Sequence, residues 1–223
     1  MKNHKPYWAF LLMPFFSYNM VAAQLPVEQE PYHKIVFENE YVRILDGLIP
    51  VHDTTLAHIH AANSVVVFLS KSTFGIQNVG EKPVVTEVSP GDIVYRTYGE
   101  KPVNHKVWNQ DICMFHFMVV ELVKQDIEND TCSIISQSGI NMQWQKKLVR
   151  AYKLDITKGK NFNLPKSNCA YLLIDISGII TVASSGNIRT LQTGGFVFFP
   201  PQREIKINDN IKEDASCVLL ELK

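Results

Sequence analysis

The chain has 223 residues, of which 46% are hydrophobic and 20% are charged. This composition predicts a packed core, and the length suits one large domain or two domains of about 100 residues each. Basic and acidic residues balance at 22 each, and no basic stripe or long run of like charge occurs. The sequence therefore gives no sign of nucleic-acid binding.

The first 23 residues are predicted to be an export signal. The short basic stretch MKNHK precedes the apolar run PYWAFLLMPFFSY, and the small residues of NMVAAQ allow cleavage after Ala23. This run is shorter than the roughly 20 residues that span a bilayer, although an uncleaved N-terminal anchor is the alternative. We expect an exported protein, periplasmic or secreted, without a membrane span after cleavage.

Export would place the four cysteines in an oxidising compartment. Cys113 and Cys217 lie in apolar, strand-like runs and are expected to be small core residues. Cys132 and Cys169 lie in more polar surroundings and could form one disulfide, which the sequence does not decide.

From residue 34 onward the chain is predicted to be all-β. Short runs of β-branched and aromatic residues, such as YVRIL, SVVVFL and DIVYRT, are separated by Gly, Pro, Asn and Asp, as in sandwiches and barrels. Residues 124–144 are more polar and are predicted to be a linker. The runs resume in RAYKLDI, AYLLIDI and GGFVFFP, which predicts β domains over 34–123 and 145–223.

The two β regions match each other at an offset of 107 residues. YVRILDGLIP at 41–50 falls on LVRAYKLDIT at 148–157, and HAANSVVVFLS at 60–70 falls on SNCAYLLIDIS at 167–177. The regions also end alike, in VVEL and LLEL. The order of these matches, more than their identity, predicts a tandem duplication.

The stretch LAHIHAANSVVVF contains His58 and His60, which would project from the same face of a strand. A metal site needs at least a third ligand, and His105 in PVNHKVWN is the next histidine along the chain. The alternative is a pair of ordinary strand histidines. His33 is expected at the surface and His52 in a loop at the mouth of a pocket.

Other side chains near these motifs are assigned less firmly. His116 is expected to be a core or barrel-lining histidine with a satisfied partner rather than a fourth ligand. Four further residues could line a pocket or pack outside it: Tyr95, Arg96, Tyr98 and Trp108.

This arrangement resembles the cupin superfamily. Its first motif is an HxH pair followed by Glu and Gly, which His58, His60 and Gly75 fit approximately. Its second motif has Pro, His and Asn, for which the chain offers Pro102, His105 and Asn109, and SPGD at 89–92 is similar to the turn before it. The resemblance implies two tandem cupin-type jelly-roll barrels and a divalent transition metal, such as Fe, Mn, Ni or Zn, held by His58, His60 and His105.

The chain departs from the cupin pattern in lacking the motif Glu, since Ser64 and Val65 stand in its place. Three neutral imidazoles leave a divalent ion at +2, which favours a small anionic ligand, but the site could also be vestigial and hold no metal. The second copy has lost the motif, because Pro165 and Ser167 replace the HxH pair. Arg203 or Glu204 stands where a histidine like His105 would be.

Two kinds of function remain open at this stage. The first is a metal-dependent enzyme, a dioxygenase, decarboxylase or isomerase acting on a small anionic molecule. No general base replaces the missing Glu in the motif, so the alternative is a non-catalytic ligand-binding or structural protein. A homodimer and a monomeric bicupin are both compatible with the resemblance.

Overall fold

The computed structural model describes residues 24–124, 132–157, 159–208 and 214–223. The predicted export signal, residues 1–23, lies outside the described residues. Within them the chain is almost wholly β, with one 3-10 helix at Val27–Gln29. This confirms the predicted all-β fold class.

The first half forms two five-stranded sheets that face each other. One has the order β1-β4-β9-β6-β7 and the other β2-β3-β10-β5-β8. Apart from the parallel pair β1–β4, neighbouring strands are antiparallel. The ten strands are β1 (Leu25–Pro26), β2 (His33–Glu38), β3 (Val42–Ile49), β4 (His58–His60), β5 (Asn63–Phe68), β6 (Ser72–Asn78), β7 (Val84–Val88), β8 (Ile93–Thr97), β9 (Val103–Asn109) and β10 (Phe115–Leu122).

The second half repeats this plan with a five-stranded and a four-stranded sheet. Their orders are β11-β12-β19-β14-β17 and β13-β18-β15-β16. The nine strands are β11 (Ile140–Gln145), β12 (Val149–Ile156), β13 (Asn161–Leu164), β14 (Ala170–Ser177), β15 (Ile179–Ser184), β16 (Asn187–Gln192), β17 (Phe196–Phe199), β18 (Ile205–Asn208) and β19 (Ala215–Leu222).

The two halves share a cross-strand pair whose arginines are at the predicted offset of 107 residues and whose glutamates are 100 residues apart. Arg43 lies opposite Glu121 and Arg150 lies opposite Glu221, and each pair forms an ion pair. Because the same strands of each half carry the same ion pair, the duplication extends to individual side chains.

Three hydrophobic clusters stabilise the two barrels and the contact between them. One fills the first barrel, a second fills the other barrel, and the third lies between the halves. In β10, Phe117 and Val119 face the first barrel, whereas Val120 and Leu122 face the second half. Such strands are covered on both faces, which explains their nearly continuous apolar runs.

The boundary of the predicted linker is corrected by β11. Ile140–Gln145 overlaps the end of the stretch 124–144, yet it pairs with β12 as an edge strand. Trp144 also packs against the ring of Tyr95 in the first half, so this segment belongs to the folded second half. Likewise, β1 and β2 add residues before position 34 to the first half.

One of the four cysteines differs from the expectation, and the structure decides the pairing of two others. Cys132 and Cys169 form the disulfide that the sequence left open. Cys217 is buried as expected, but Cys113 is exposed, because it precedes β10 instead of lying within it.

Gly75 is required by close packing. It lies opposite Trp108 in the β6–β9 pair, and an added Cβ would stand 2.0 Å from the indole ring. Trp108 therefore packs over the glycine, which shows why this position of the first motif has no side chain.

Candidate metal centre

The β4–β9 pair brings together the three histidines predicted from the sequence. His58 lies directly opposite His105 in the ladder, and His60 shares the face of His58. The ring centroids are 5.0 Å apart for His58 and His60, 4.9 Å for His58 and His105, and 5.0 Å for His60 and His105. All three side chains are buried.

A fourth histidine, His33, joins this cluster. It was expected at the surface, but it is buried, because it begins β2 and pairs with Gly47 of β3. Its ring centroid lies 4.7 Å from that of His58 and 5.9 Å from that of His60. One ligand atom from each of His33, His58 and His60 can be chosen so that all three lie within 4.8 Å of one another.

Glu30 stands behind the cluster as a buried carboxylate, 1% exposed. Its Oε2 is 2.6 Å from Nδ1 of His33 and accepts the backbone N–H of Tyr32. Its Oε1 accepts the backbone N–H of Leu56 at 3.2 Å. Burial opposes ionisation of Glu30, but the hydrogen bond and electrostatic attraction of His33, with the backbone donors, outweigh it and lower its pKa.

Burial keeps the other three imidazoles neutral. It lowers the pKa of His58 to about 4, that of His60 to about 2 and that of His105 to about 3, and repulsion from neighbouring imidazoles adds to each shift. At neutral pH these rings therefore hold lone pairs without first losing a proton, as metal ligation requires.

The nitrogen positions fit a divalent transition metal. Nδ1 of His58 lies 2.8 Å from the carbonyl oxygen of Leu56, so its proton can donate there and leave the lone pair on Nε2. That Nε2 lies 3.2 Å from Nε2 of His60. Two nitrogens at 2.0–2.1 Å from one ion have this separation at an N–metal–N angle of about 100°. Nδ1 of His60 and Nδ1 of His105 are buried without a hydrogen-bond partner.

Three of the histidines, His33, His60 and His105, line a small, largely apolar cavity of about 60 Å³ inside the first barrel. Ser64, which stands in place of the motif Glu, lines this cavity, and its buried hydroxyl has no hydrogen-bond partner. Arg96 lies directly opposite Ser64 in the β5–β8 pair and lines the same cavity with Tyr98. Within the described residues, the Arg96 guanidinium makes no hydrogen bond or ion pair.

Three other side chains considered from the sequence lie away from this cavity. Tyr95 packs into the cluster between the halves. His116 bonds to Asp46 at 2.7 Å and lies beside Gly194 of the second half, so it is neither a core histidine nor part of the cluster. His52 occupies an exposed turn with a positive φ of 57°.

The second half has no equivalent histidine cluster among its described residues. Tyr171 stands opposite Glu221 where Ser64 stands opposite Glu121, and Pro165 and Ser167 line an open pocket. The one group of potential ligands found in this half is Cys132, Cys169 and Glu221, and its two sulfurs are joined.

Comparison with solved structures identifies the fold. AerE from Microcystis aeruginosa is 12% identical over 87% of this chain and 98% of that chain, with a TM-score of 0.64. The cupin 2 conserved barrel domain protein from Leptotrichia buccalis is 11% identical over 86% and 88%, with a TM-score of 0.55. Oxalate decarboxylase from Bacillus subtilis, which has Mn(II) centres, is 11% identical over 83% and 70%, with a TM-score of 0.58.

The likeness lies in three-dimensional structure more than in sequence. No protein-family model matches the chain, and no curated protein matches it significantly. The structural matches show the predicted fold, two cupin barrels in tandem. Among the described residues, no helix has the length and apolar character to cross a membrane.

Proposed function

We propose that this tandem cupin binds one divalent transition metal through the histidines of its first barrel and presents it to a small anionic molecule. The observation that carries this proposal is the cluster of four buried imidazoles at the end of a cavity. Burying so many titratable groups side by side is costly, and a shared cation would compensate that cost.

His58 and His60 are the two ligands common to both plausible sets. The predicted third ligand is His105, whose ring is about equally close to both. His33 is the other candidate, since its ligand atom can lie with theirs within 4.8 Å. The bound metal would supply Lewis-acid chemistry or orient a ligand.

The anionic character of the ligand follows from charge. Neutral histidines leave a divalent ion at +2, the buried Glu30 carboxylate behind His33 offsets one of these charges, and Ser64 contributes none where cupins carry a carboxylate. Arg96 adds a further positive charge opposite Ser64. The cavity is small, about 60 Å³, so we propose a carboxylate of only a few heavy atoms.

Non-catalytic capture of the same anion is the second candidate function. The cavity lining includes no carboxylate, and Tyr98, whose pKa is raised by burial, is not a base at neutral pH. Apart from whichever of His33 and His105 is not a ligand, this lining offers no general base, and a binding site would not need one.

Metal content tests the proposal directly. Elemental analysis of the wild type should find close to one transition-metal ion per chain, and a protein with both His58→Ala and His60→Ala should have lost it. His52→Asn is the matched control, because this exposed histidine has a positive φ that Asn tolerates. Equal metal content in the wild type and the double variant would refute the site.

Two single variants identify the third ligand. His105→Ala should release the ion if His105 binds it, while His33→Ala should do so if His33 is the ligand. The identity of the metal found in the wild type would then narrow the reaction class.

Anion binding can be tested with acetate. Acetate should raise the melting temperature of the metal-loaded protein by mass action, and Arg96→Gln should reduce that shift while keeping the metal. An identical acetate shift in the metal-free protein would count against direct coordination.

We also propose export with cleavage after Ala23, supported by the signal-like sequence and by the Cys132–Cys169 disulfide, which suits an oxidising compartment. N-terminal sequencing of the protein recovered from extracytoplasmic fractions should begin at Gln24. An intact N-terminus on protein from those fractions would contradict cleavage.

A further inference from the structure

We infer that Glu30 is a positioning residue of the metal centre, acting on two histidines at once and replacing, from a different part of the chain, the carboxylate that Ser64 no longer provides. The inference rests on the proposed metal site and adds to it a segment that precedes both cupin motifs.

The first connection runs directly to His33. Glu30 Oε2 lies 2.6 Å from His33 Nδ1, so the carboxylate accepts a proton held on Nδ1. The lone pair of His33 is then on Nε2. A carboxylate behind an imidazole fixes its tautomer and ring orientation and makes the other nitrogen more basic towards a metal.

The second connection runs to His58 through the backbone of one residue, Leu56. Glu30 Oε1 accepts the N–H of Leu56, and the carbonyl oxygen of Leu56 lies 2.8 Å from Nδ1 of His58. This arrangement also places the proton of His58 on Nδ1 and its lone pair on Nε2. Glu30 therefore fixes the tautomer of His33 directly and holds in place the residue whose carbonyl fixes the tautomer of His58.

The N-terminal segment is fixed at this position by backbone pairing. Leu25 and Pro26 form a parallel pair with His58 and Ile59, and the 3-10 helix Val27–Gln29 leads directly into Glu30. The N–H of His33 also bonds to the carbonyl of Glu30 at 3.0 Å. The carboxylate is consequently held by the strand that carries the HxH pair.

The charge of Glu30 is unusual for a merely structural residue. It is 1% exposed, and its ion pair within the described residues is with His33, not with Lys or Arg. Glu28, two residues earlier, is partly exposed and lies 3.8 Å from Arg43. A buried carboxylate without a permanent cation is costly, and a divalent ion beyond His33 would supply the missing positive charge.

The decisive comparison is Glu30→Gln against Glu28→Gln, which makes the same charge change in the same segment without contacting a histidine. In competition titrations with Co²⁺ and a chelator, Glu30→Gln should bind one ion about 10- to 100-fold more weakly than wild type. It should also change the visible Co²⁺ spectrum, which a general loss of stability would not do. Glu28→Gln should match wild type in both measurements.

A second measurement reads the tautomers without metal. In the ¹⁵N spectra of histidine side chains, metal-free wild type should show His33 and His58 protonated at Nδ1, with a strongly deshielded proton on His33. If Glu30→Gln does not fold, this measurement on wild type decides alone. Protonation of either ring at Nε2 instead would overturn the inference.

The outcomes separate the inference from the proposed function. A wild type that binds one ion while Glu30→Gln binds it equally tightly, with the same spectrum, refutes the role of Glu30 and leaves the metal site standing. A wild type that binds no ion refutes the proposed function, and the role of Glu30 in a metal centre is refuted with it.

Discussion

Acid should destabilise the metal-free protein because its clustered histidines resist protonation. In the unfolded chain a histidine takes up a proton near pH 6.5, whereas burial lowers the folded-state pKa of His58 to about 4, that of His60 to about 2 and that of His105 to about 3. Between these values the unfolded state binds more protons. The free energy of unfolding is therefore highest above pH 6.5 and decreases as the pH falls below that value.

The size of this effect follows from the same values. Between pH 7 and pH 5, each of these three histidines should reduce the free energy of unfolding by about 2 kcal/mol, or about 6 kcal/mol together. A domain is typically stable by about 5–15 kcal/mol, so acidification would remove a large share of the stability of the first barrel.

The assay is urea unfolding in the presence of a chelator at several pH values, with tryptophan fluorescence as the signal. His60→Gln removes one of the three histidines. The decrease in the free energy of unfolding between pH 7 and pH 5 should therefore be smaller by about 2 kcal/mol than in wild type. His52→Gln, at an exposed position, should leave the loss unchanged. Equal dependence on pH in wild type and His60→Gln would refute the reasoning.

Three further predictions concern other parts of the chain. Ser64→Glu would restore a carboxylate beside the histidines, so it should tighten Co²⁺ binding and weaken acetate binding in calorimetric titrations; unchanged acetate affinity would contradict the proposed anion site. Asp175 is fully buried with one carboxylate oxygen unpaired, and burial raises its pKa to about 7. The free-energy cost of keeping this carboxylate ionised in the folded state is complete above pH 7 and absent below its unfolded pKa of about 4. Asp175→Asn should therefore stabilise the protein more at pH 8 than at pH 4 in urea titrations. Equal effects at the two pH values would contradict this. Reducing the Cys132–Cys169 disulfide, which joins residues 37 apart in sequence, should lower the free energy of unfolding by about 4 kcal/mol in the loop-entropy model, and an unchanged urea midpoint would argue against it.

The fold could be predicted because its signals are local and repeated. Alternating and continuous apolar runs define the strands, and the offset of 107 residues places Arg43 over Arg150, which the registers confirm. The linker boundary was less accessible. Ile140–Gln145 is half polar because it forms an exposed edge of its sheet, and such a strand differs little in composition from a loop.

The site was only partly predictable for a related reason. His58, His60 and His105 belong to motifs with recognisable spacing, whereas His33 and Glu30 reach the cluster only through the pairing of β1 with β4 and of β2 with β3. The one local signal is the spacing of Glu30 and His33 in EPYH. Arg96 was equally hidden, because the face of a short strand depends on the register with its neighbour.

The hydrophobic cluster between the halves has a consequence for how the protein responds to dilution. Two separate cupin chains that paired through this surface would come apart as their concentration fell. Here the partner is covalently attached, so its effective concentration is fixed by the connecting segment and does not depend on how much protein is present. The second barrel can therefore protect the sheet that carries Ser64 and Arg96 without any metal ligands of its own.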